Sequence, residues 1–409
     1  MPLFTEIKAC RACNSTDLPE ALNLGSSFAL SDFLDSLDAH TDRAPLVLVR
    51  CSACALVQLR HTVDRERLYA RYWYRSSTQP AMVAALKDVY DQARCVVDVG
   101  PGDAVVDIGA NDGTLLRMWP GDVERLGFEP AQNLFFEATA YPNGKPSHIF
   151  PGYWPPKADL KGSGAKIITS IACFYDSPDP SVFVEAIKRW LHPQGVWINQ
   201  LAYLPATLES NNFGDICHEH LTMWTVQSFA RLLERHGLTL LGYSFNDVNG
   251  GSVRFVVGHD DGKPSELPND DVGLLALRRF AQRIRLQRTD IRDFLHHAKR
   301  DGKRVVGYGA STKGATYLQY WDVGPNLLET IADRNPEKHG KYTPTGQFVI
   351  SEAQMREERP DYLLALPYHF INAFVEREAE ILERGTQFVV PFPELRFVVG
   401  QTHTATVAA

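Results

Sequence analysis

The sequence contains no apolar run close to the roughly 20 residues that a membrane-spanning helix needs. Its first residues, from Met1 to Lys8, include neither a basic region nor an apolar stretch, so a secretory signal is not expected. An excess of positive charge is also absent, because the formal net charge is −7, and this removes the usual electrostatic basis for binding nucleic acid. These absences predict a soluble cytoplasmic protein without a membrane or nucleic-acid partner.

Cysteine is scarce, and four of the seven cysteines fall into two C-x-x-C pairs, Cys10 with Cys13 and Cys51 with Cys54. Each pair places two thiolates on one tight turn, and two such turns complete a tetrahedral zinc shell that has no open position. An odd number of cysteines, most of them assigned to a metal, fits a reducing compartment better than a disulfide framework. The spacing therefore predicts one structural zinc ion held by these four residues.

The length of 409 residues predicts about two to four domains. We expect a zinc module over residues 1–70, a middle domain over 71–298 and a C-terminal domain over 299–409. Short apolar runs alternate with helical patterns in both larger regions, which is typical of α/β folds with buried parallel strands. The runs lie at residues 104–108, 125–128, 167–169, 196–199 and 238–243, and then at 304–308, 330–332, 362–366 and 387–390. The predicted fold class is α/β: a four-cysteine zinc module, a central doubly wound Rossmann-like domain and a second Rossmann-like α/β domain.

A glycine loop at residues 107–113 begins at the end of the first apolar run of the middle domain. An almost identical copy at residues 96–102 precedes it, but only the second copy is followed by a helical pattern, at residues 114–119. The loop is acidic, whereas a dinucleotide fingerprint is neutral, and S-adenosylmethionine carries a sulfonium and an amino group but no phosphate. Glu129 ends the next run, where doubly wound folds hold ribose hydroxyls. We therefore expect an S-adenosylmethionine site formed by Asp107, Gly109, Asn111, Asp112, Gly113, Glu129 and Ser170.

Six segments in this order make the chain resemble the S-adenosylmethionine-dependent sugar C-methyltransferases, which act on nucleotide-linked keto-deoxysugars. They are the four-cysteine module and residues 72–77, 107–113, 216–221, 249–254 and 307–314. The resemblance implies that the middle domain binds the methyl donor. It also implies that the sugar nucleotide lies between the middle and C-terminal domains.

The family's Y-x-E-H segment maps onto Cys217-His218-Glu219-His220, with cysteine in place of tyrosine. A second histidine, present in some members after the fourth strand, is not evident in residues 170–176. Carbon methylation needs a carbanion, which an enolate beside a ketone supplies once a base removes a proton. The match makes His220 the expected base, although the sequence leaves His218 open. Structural histidines, or a metal site that includes Cys217, are the alternatives.

Other side chains receive roles mainly through the resemblance. Glu219 orients the histidine or holds a sugar hydroxyl, and Tyr74, with Tyr72 as its rival, donates to the enolate oxygen. The turn at residues 307–314 lies between a strand and a helix, so its N–H groups and Lys313 suit a diphosphate. A nicotinamide site is the rival there, because Asp333 ends the next strand. The expected substrate contacts are Tyr72, Ser76, Cys217, His218, Asn249, Arg254, Ser311, Lys313 and His369.

The sequence thus predicts an enzyme that methylates the carbon next to the ketone of a nucleotide-diphosphate keto-sugar. A small-molecule O- or N-methyltransferase would use the same donor without an enolate. A non-catalytic methyltransferase-like binding protein is a third reading, which the intact loop at residues 107–113 disfavours. We expect a monomer, and a dimer stays open.

Overall fold

The computed structural model describes residues 3–29, 33–37, 42–69, 72–140, 146–157, 162, 164–263 and 266–399, together with the backbone of 404–405. The predicted boundary between the first two domains, at residues 70 and 71, lies outside the described residues. No described helix is long and apolar enough to cross a bilayer.

The N-terminal region is a small β module. Its strands are β1 Phe4–Glu6, β2 Glu20–Phe28, β3 Arg43–Arg50, β4 Val57–Leu59 and β5 His61–Val63, and helix α1 Arg65–Tyr69 follows them. The larger sheet of the module contains β4, β3 and β2, and a strand from the middle of the chain, β11 Thr222–Met223, pairs with its edge. The module is therefore hydrogen-bonded to the segment that directly follows the His-Glu-His residues.

The middle domain contains a seven-stranded sheet in the order β12-β13-β10-β9-β6-β7-β8. Its strands are β6 Ala104–Ile108, β7 Glu124–Glu129, β8 His148–Pro151, β9 Ala165–Ile171, β10 Leu191–Ala202, β12 Leu238–Asn246 and β13 Ser252–His259. Its helices are α2 Pro80–Val96, α3 Phe135–Thr139, α4 Pro180–Trp190, α5 Leu204–Glu209 and α6 Val226–Arg235. Strands β10, β9, β6, β7 and β8 are parallel, whereas β13 is antiparallel to β10 and to β12.

Helices cover both faces of this sheet. Successive residues of a strand point to opposite sides, and in these strands the residues on both sides are apolar and need a covering layer. Val105 packs in the cluster that contains α2, and Val106 packs in the cluster that contains α4 and α6. The helix predicted at residues 114–119 is wrong: only a 3-10 turn forms, at Leu116–Met118. Gly113 has a φ of +77°, and Trp119, the residue before Pro120, is extended, so the backbone leaves the helical conformation at both ends of the segment.

The C-terminal domain contains a second sheet, in the order β16-β15-β14-β17-β18-β19-β20, in which the first five strands are parallel and β19 is antiparallel to β18 and to β20. Its strands are β14 Val305–Tyr308, β15 Thr330–Asp333, β16 Phe348–Ser351, β17 Tyr362–Ala365, β18 Gln387–Val390, β19 Arg396–Val398 and β20 Thr404–Ala405. Its helices are α7 Leu274–Arg300, α8 Thr312–Trp321, α9 Glu352–Glu358, α10 Ile371–Arg377 and α11 Ala379–Glu383. The predicted fold class is thereby confirmed.

Helix α7 runs across the predicted boundary at residues 298 and 299. Its buried face, including Phe280 and Ile284, packs in one cluster with α8 and the C-terminal sheet, and residues of β2 and β3 join the same cluster. The long helix therefore lies between the zinc module and the C-terminal sheet. The exact domain bounds stay predictions.

Candidate active site

The four predicted zinc ligands converge. Their sulfur atoms lie within 4.8 Å of one another, with 3.6 Å from Cys10 Sγ to Cys54 Sγ and 3.5 Å from Cys13 Sγ to Cys51 Sγ. A tetrahedral site with Zn–S bonds of about 2.3 Å requires sulfur atoms about 3.8 Å apart, so the cluster fits the ion. Four protein ligands leave no position for a substrate, which makes the site structural.

A cavity of about 1350 Å³ lies at the carboxyl ends of both parallel sheets. The residues after β6, β7 and β9 line one side, and those after β14, β15 and β17 line the other. Residues 65–69 and 72–76, which connect the zinc module to α2, also contribute to the wall. Carboxyl ends of parallel strands are where α/β folds bind ligands, and here two such edges share one space.

The glycine loop forms the middle-domain side of the cavity. Gly109 has a φ of +71°, and a Cβ atom there would lie 3.1 Å from the Cβ of Cys173. The carboxylate of Glu129 accepts hydrogen bonds from the backbone N–H of Asn111 at 2.8 Å and of Ala131 at 2.7 Å. Burial raises the pKa of Glu129 to about 7 and that of Asp107 to about 7. Each oxygen of Glu129 keeps a lone pair, so the strand end can still accept from ribose hydroxyls.

Four of the predicted cofactor residues line the cavity, namely Asp107, Gly109, Asn111 and Glu129. Asp112, Gly113 and Ser170 lie behind its wall. Asp112 accepts from Ser77 N and Thr114 Oγ1, and Ser170 Oγ is fully buried between Asn199 and Trp197. Their hydrogen bonds hold the loop and the strand beneath it, so in this geometry they do not reach a ligand.

His220 lines the cavity and has a defined tautomer. Its Nδ1 lies 2.9 Å from the carbonyl oxygen of Asp215, and a carbonyl can only accept, so Nδ1 carries the proton and Nε2 is unprotonated in the neutral ring. The ring packs against Tyr175, with centroids 4.1 Å apart. Burial lowers the pKa of His220 to about 4, so the ring is neutral at physiological pH.

Glu219 and Cys217 lie beside His220 on the same wall, and one ligand atom from each of the three residues lies within 4.8 Å of the others. Burial raises the pKa of Glu219 to about 7. The metal alternative therefore has three possible ligands, but no fourth His, Cys, Asp or Glu of the described chain joins the group.

His218 points the other way. Its Nε2 lies 3.1 Å from the carbonyl oxygen of Ala44 in the zinc module, and it does not line the large cavity. The segment turns at this point, with His220 N donating to Cys217 O, so neighbouring side chains separate. This placement does not match the predicted substrate contact of His218, and of the two histidines only His220 lines the cavity.

The remaining predicted residues divide into two groups. Tyr72, Tyr74, Ser76, Asn249, Ser311, Lys313 and His369 line the cavity. Arg254 does not: it is buried and binds Gln200, Gln92 and Asp88, so its predicted substrate contact is not matched either. Lys313 Nζ bonds to Asp215 Oδ1 at 2.8 Å and to the carbonyl of Asn249 at 2.7 Å.

Asp333, on which the nicotinamide alternative depends, already accepts hydrogen bonds from other groups of the protein. Its carboxylate accepts from the backbone of Ala310 and Asn335 at 2.8 Å each and from Lys338 Nζ at 3.3 Å. A carboxylate with an ammonium partner is a poor acceptor for ribose hydroxyls compared with Glu129.

Asp176 is a cavity residue that the sequence reasoning missed. Burial, with the nearby charge of Glu219, raises its pKa well above the usual range, and its Oδ1 has no hydrogen-bond partner in the described structure. The available signal was its position just after β9, one of the parallel strands whose ends form the site.

Three family models match the chain in sequence order. They describe a zinc binding domain over residues 10–69, a methyltransferase domain over 81–242 and a C-methyltransferase C-terminal domain over 247–393. C-methyltransferase NovU from Streptomyces niveus is 29% identical over 418 residues, covering 97% of this chain and 98% of that protein.

Solved structures show weaker likeness. An S-adenosylmethionine dependent methyltransferase from Mesorhizobium loti is 14% identical, with a TM-score of 0.33, covering 41% of this chain and 96% of that one. The LepI complex with SAM is 17% identical, with a TM-score of 0.35, covering 45% and 54%.

The cysteine cluster fits zinc, and the loop with Glu129 fits the methyl donor, so the two predicted cofactors agree with the matched domains. The order of the three models is the order of the three structural units. The chain therefore has the domain composition of an S-adenosylmethionine-dependent C-methyltransferase with an N-terminal zinc-binding domain.

Proposed function

We propose that the enzyme methylates the carbon next to the ketone of a nucleotide-activated keto-deoxysugar, with His220 as the base. The observation that carries this proposal is the single proton-free nitrogen of His220, set by the Asp215 carbonyl, on the wall of the shared cavity. Transfer to oxygen or nitrogen needs no carbanion, whereas transfer to carbon requires a base of this kind.

The dimensions of the cavity support a large substrate beside the donor. Its volume of about 1350 Å³ exceeds the roughly 300–1000 Å³ typical of a site for one drug-sized ligand. The C-terminal side also supplies cationic side chains to the wall, among them Arg334, Lys338, Lys341 and Arg377. A diphosphate suits that side, and the sugar would then extend toward His220.

In the proposed reaction, His220 removes a proton and the resulting enolate accepts the methyl group. His220 Nε2 takes a proton from the carbon beside the ketone, and the electron pair of that C–H bond forms the enolate. Bound S-adenosylmethionine would supply an electrophilic methyl group: the enolate carbon forms the new carbon–carbon bond as the sulfur–methyl bond breaks, and the electron pair of that bond leaves on the sulfur of S-adenosylhomocysteine. The imidazolium then returns its proton to water. Tyr74 lines the cavity as a donor for the enolate oxygen, and burial raises its pKa, which keeps the phenol protonated.

Glu219 is suited to hold a sugar hydroxyl rather than to pair with a cation. Its pKa is raised by burial alone, so no cation neutralises it before a ligand binds. Asp176, with one unpaired oxygen, is suited to the same task.

A labelled donor tests the proposal. The enzyme would be incubated with S-adenosylmethionine carrying a ¹³C methyl group and with candidate keto-sugar nucleotides, and the label would be located by NMR. We expect a methyl group bonded to the carbon beside the ketone. Label on oxygen or nitrogen would replace the proposal with the O- or N-methyltransferase alternative.

Glu129→Gln should weaken S-adenosylmethionine binding by on the order of 10–100-fold, because hydrogen bonds to a charged acceptor contribute about 1.5–3 kcal/mol. In the wild type, affinity should also fall below pH 7, by up to about tenfold per pH unit, because Glu129 becomes protonated there. Calorimetry across pH 6–8 measures both effects.

Glu124→Gln is the matched control, because Glu124 is exposed at the opposite end of the same strand. The Glu129 variant should keep its affinity for the sugar nucleotide. Equal loss for both ligands would indicate misfolding, and an unchanged affinity for the donor would place the ribose elsewhere.

A further inference from the structure

Lys313 lies where a lysine is electrostatically unfavourable. It is in the first turn of helix α8 Thr312–Trp321, and the positive end of a helix dipole repels a cation. An ion pair offsets this repulsion, since Lys313 Nζ lies 2.8 Å from Asp215 Oδ1. The side chain of Lys313 is 16% exposed and that of Asp215 is 8% exposed, so solvent screens the pair less than it screens a surface pair.

The ion pair connects two domains at the catalytic segment. Asp215 belongs to the 3-10 turn Phe213–Asp215 of the middle domain, and the same ammonium also donates to the carbonyl of Asn249 at 2.7 Å. Asp215 has a further partner, because its Oδ2 accepts from Asn212 Nδ2 at 3.1 Å. The side chain of Asp215 is thus held on both oxygens.

The other end of that turn is anchored separately. A Cβ atom on Gly214 would lie 2.6 Å from the ring of Tyr317, so only glycine allows this contact with α8. Phe213 packs against Tyr317 and Trp321 of the same helix. Helix α8 therefore holds the whole turn, and Lys313 holds its last residue, whose carbonyl oxygen accepts from His220 Nδ1 at 2.9 Å.

We propose that Lys313 is a positioning residue of the C-terminal domain: through its ion pair with Asp215 it holds the carbonyl that sets the tautomer and direction of His220. The role of His220 as base, on which this inference rests, is the proposed function above. Asp215 and the carbonyl of Asn249 already take two of the three ammonium hydrogens of Lys313, which argues against a diphosphate as its main partner.

Two charged neighbours of His220 shift its pKa in opposite directions, and this difference can be used to test the proposal. The titratable groups that face it in the described structure are Asp215, Cys217 and Glu219 on its own segment, Tyr175 after β9, and Lys313 on α8. After burial, which lowers the pKa of His220 most, the Asp215 charge raises that pKa and the Lys313 charge lowers it. Removing Lys313 should thus raise the pKa, and removing the Asp215 charge should lower it.

The experiment compares Lys313→Met, Lys313→Arg and Asp215→Asn with Lys303→Met as the control. Lys303 pairs with Asp361 at 2.8 Å, at the other end of the C-terminal sheet, so its loss removes one ion pair far from His220. Wild type and variants would be labelled with ¹⁵N-histidine, and the ring-nitrogen shifts of His220 would be recorded at pH 7 and through an acid titration. Methylation kinetics and hydrogen exchange beside the ketone would be measured on the same preparations.

We expect Lys313→Met to mix the two His220 tautomers and to lower kcat by on the order of 10–100-fold, with KM for the sugar nucleotide changed less than about threefold. The acid limb should move to higher pH in Lys313→Met and to lower pH in Asp215→Asn. Lys313→Arg should restore most of kcat, and Lys303→Met should match the wild type.

A raised KM with unchanged kcat and an unchanged tautomer in Lys313→Met would overturn the proposal and make Lys313 a diphosphate ligand. Shifts of the same sign in Lys313→Met and Asp215→Asn would also overturn it. If the wild type neither methylates nor exchanges any keto-sugar, the proposed function fails, and the nitrogen shifts still decide the positioning role.

Discussion

Replacing His220 with asparagine should lower carbon methylation by roughly 10²–10⁴-fold, the contribution typical of a positioned general base. The amide of asparagine can donate to the Asp215 carbonyl as the imidazole does, but it cannot take up a proton at neutral pH. Exchange of the hydrogen beside the ketone in D₂O, measured by NMR without methyl donor, should disappear with the same substitution. Both ligands should still bind.

His218→Asn is the matched control for this substitution. His218 is the other histidine of the same segment, and its buried ring faces the Ala44 carbonyl in the zinc module. We expect this variant to lose some stability and to retain exchange. If exchange persists in His220→Asn and disappears in His218→Asn or Tyr74→Phe, the base has been assigned to the wrong residue.

Removal of zinc should unfold the N-terminal module and inactivate the enzyme. Structural zinc contributes on the order of 10–16 kcal/mol of apparent binding free energy, more than a small module can replace by its own core. The loss should reach the active site, because β11 pairs with β4 of the module and begins two residues after His220. Elemental analysis should find one zinc ion per chain, and Cys51→Ser should lose the metal, stability and turnover together.

Cys95→Ser controls for the loss of a thiol. Cys95 is exposed in helix α2 and lies outside the zinc cluster, so this variant should keep its metal, melting temperature and activity. A metal-free preparation that melts like the wild type would contradict the structural role of zinc.

Secondary structure was predictable where a short run of apolar residues was followed by a residue typical of the end of a strand, such as glycine or an acidic residue. The run at residues 104–108 is β6 Ala104–Ile108, and the acid that ends the next run, Glu129, lies at the end of β7. The helix predicted at residues 114–119 failed because the apolar pattern was read without its neighbours, Gly113 and Pro120. The choice between the two glycine copies still stands, because the first copy continues from the end of α2 and not from a strand.

Partners of charged side chains were not predictable. Lys313 looked like a free cation for a diphosphate, and its ion pair with Asp215 appears only when α8 packs on the turn at Phe213–Asp215. Arg254 looked like a substrate contact beside a glycine pair, and burial against Gln200 and Asp88 removes it from the cavity. Asp176 was passed over because its unpaired oxygen depends on what surrounds it, not on its neighbours in sequence.

The sequence by itself determined the zinc ligands, the glycine loop and the α/β class, because each depends on spacing within a few residues or on the period of apolar positions. Tertiary structure alone decided that two parallel sheets share one cavity, that His220 and not His218 lines it, and that Lys313 lies against Asp215. These features join residues far apart in the chain, and their energies come from burial and ion pairing that exist only after the domains have packed.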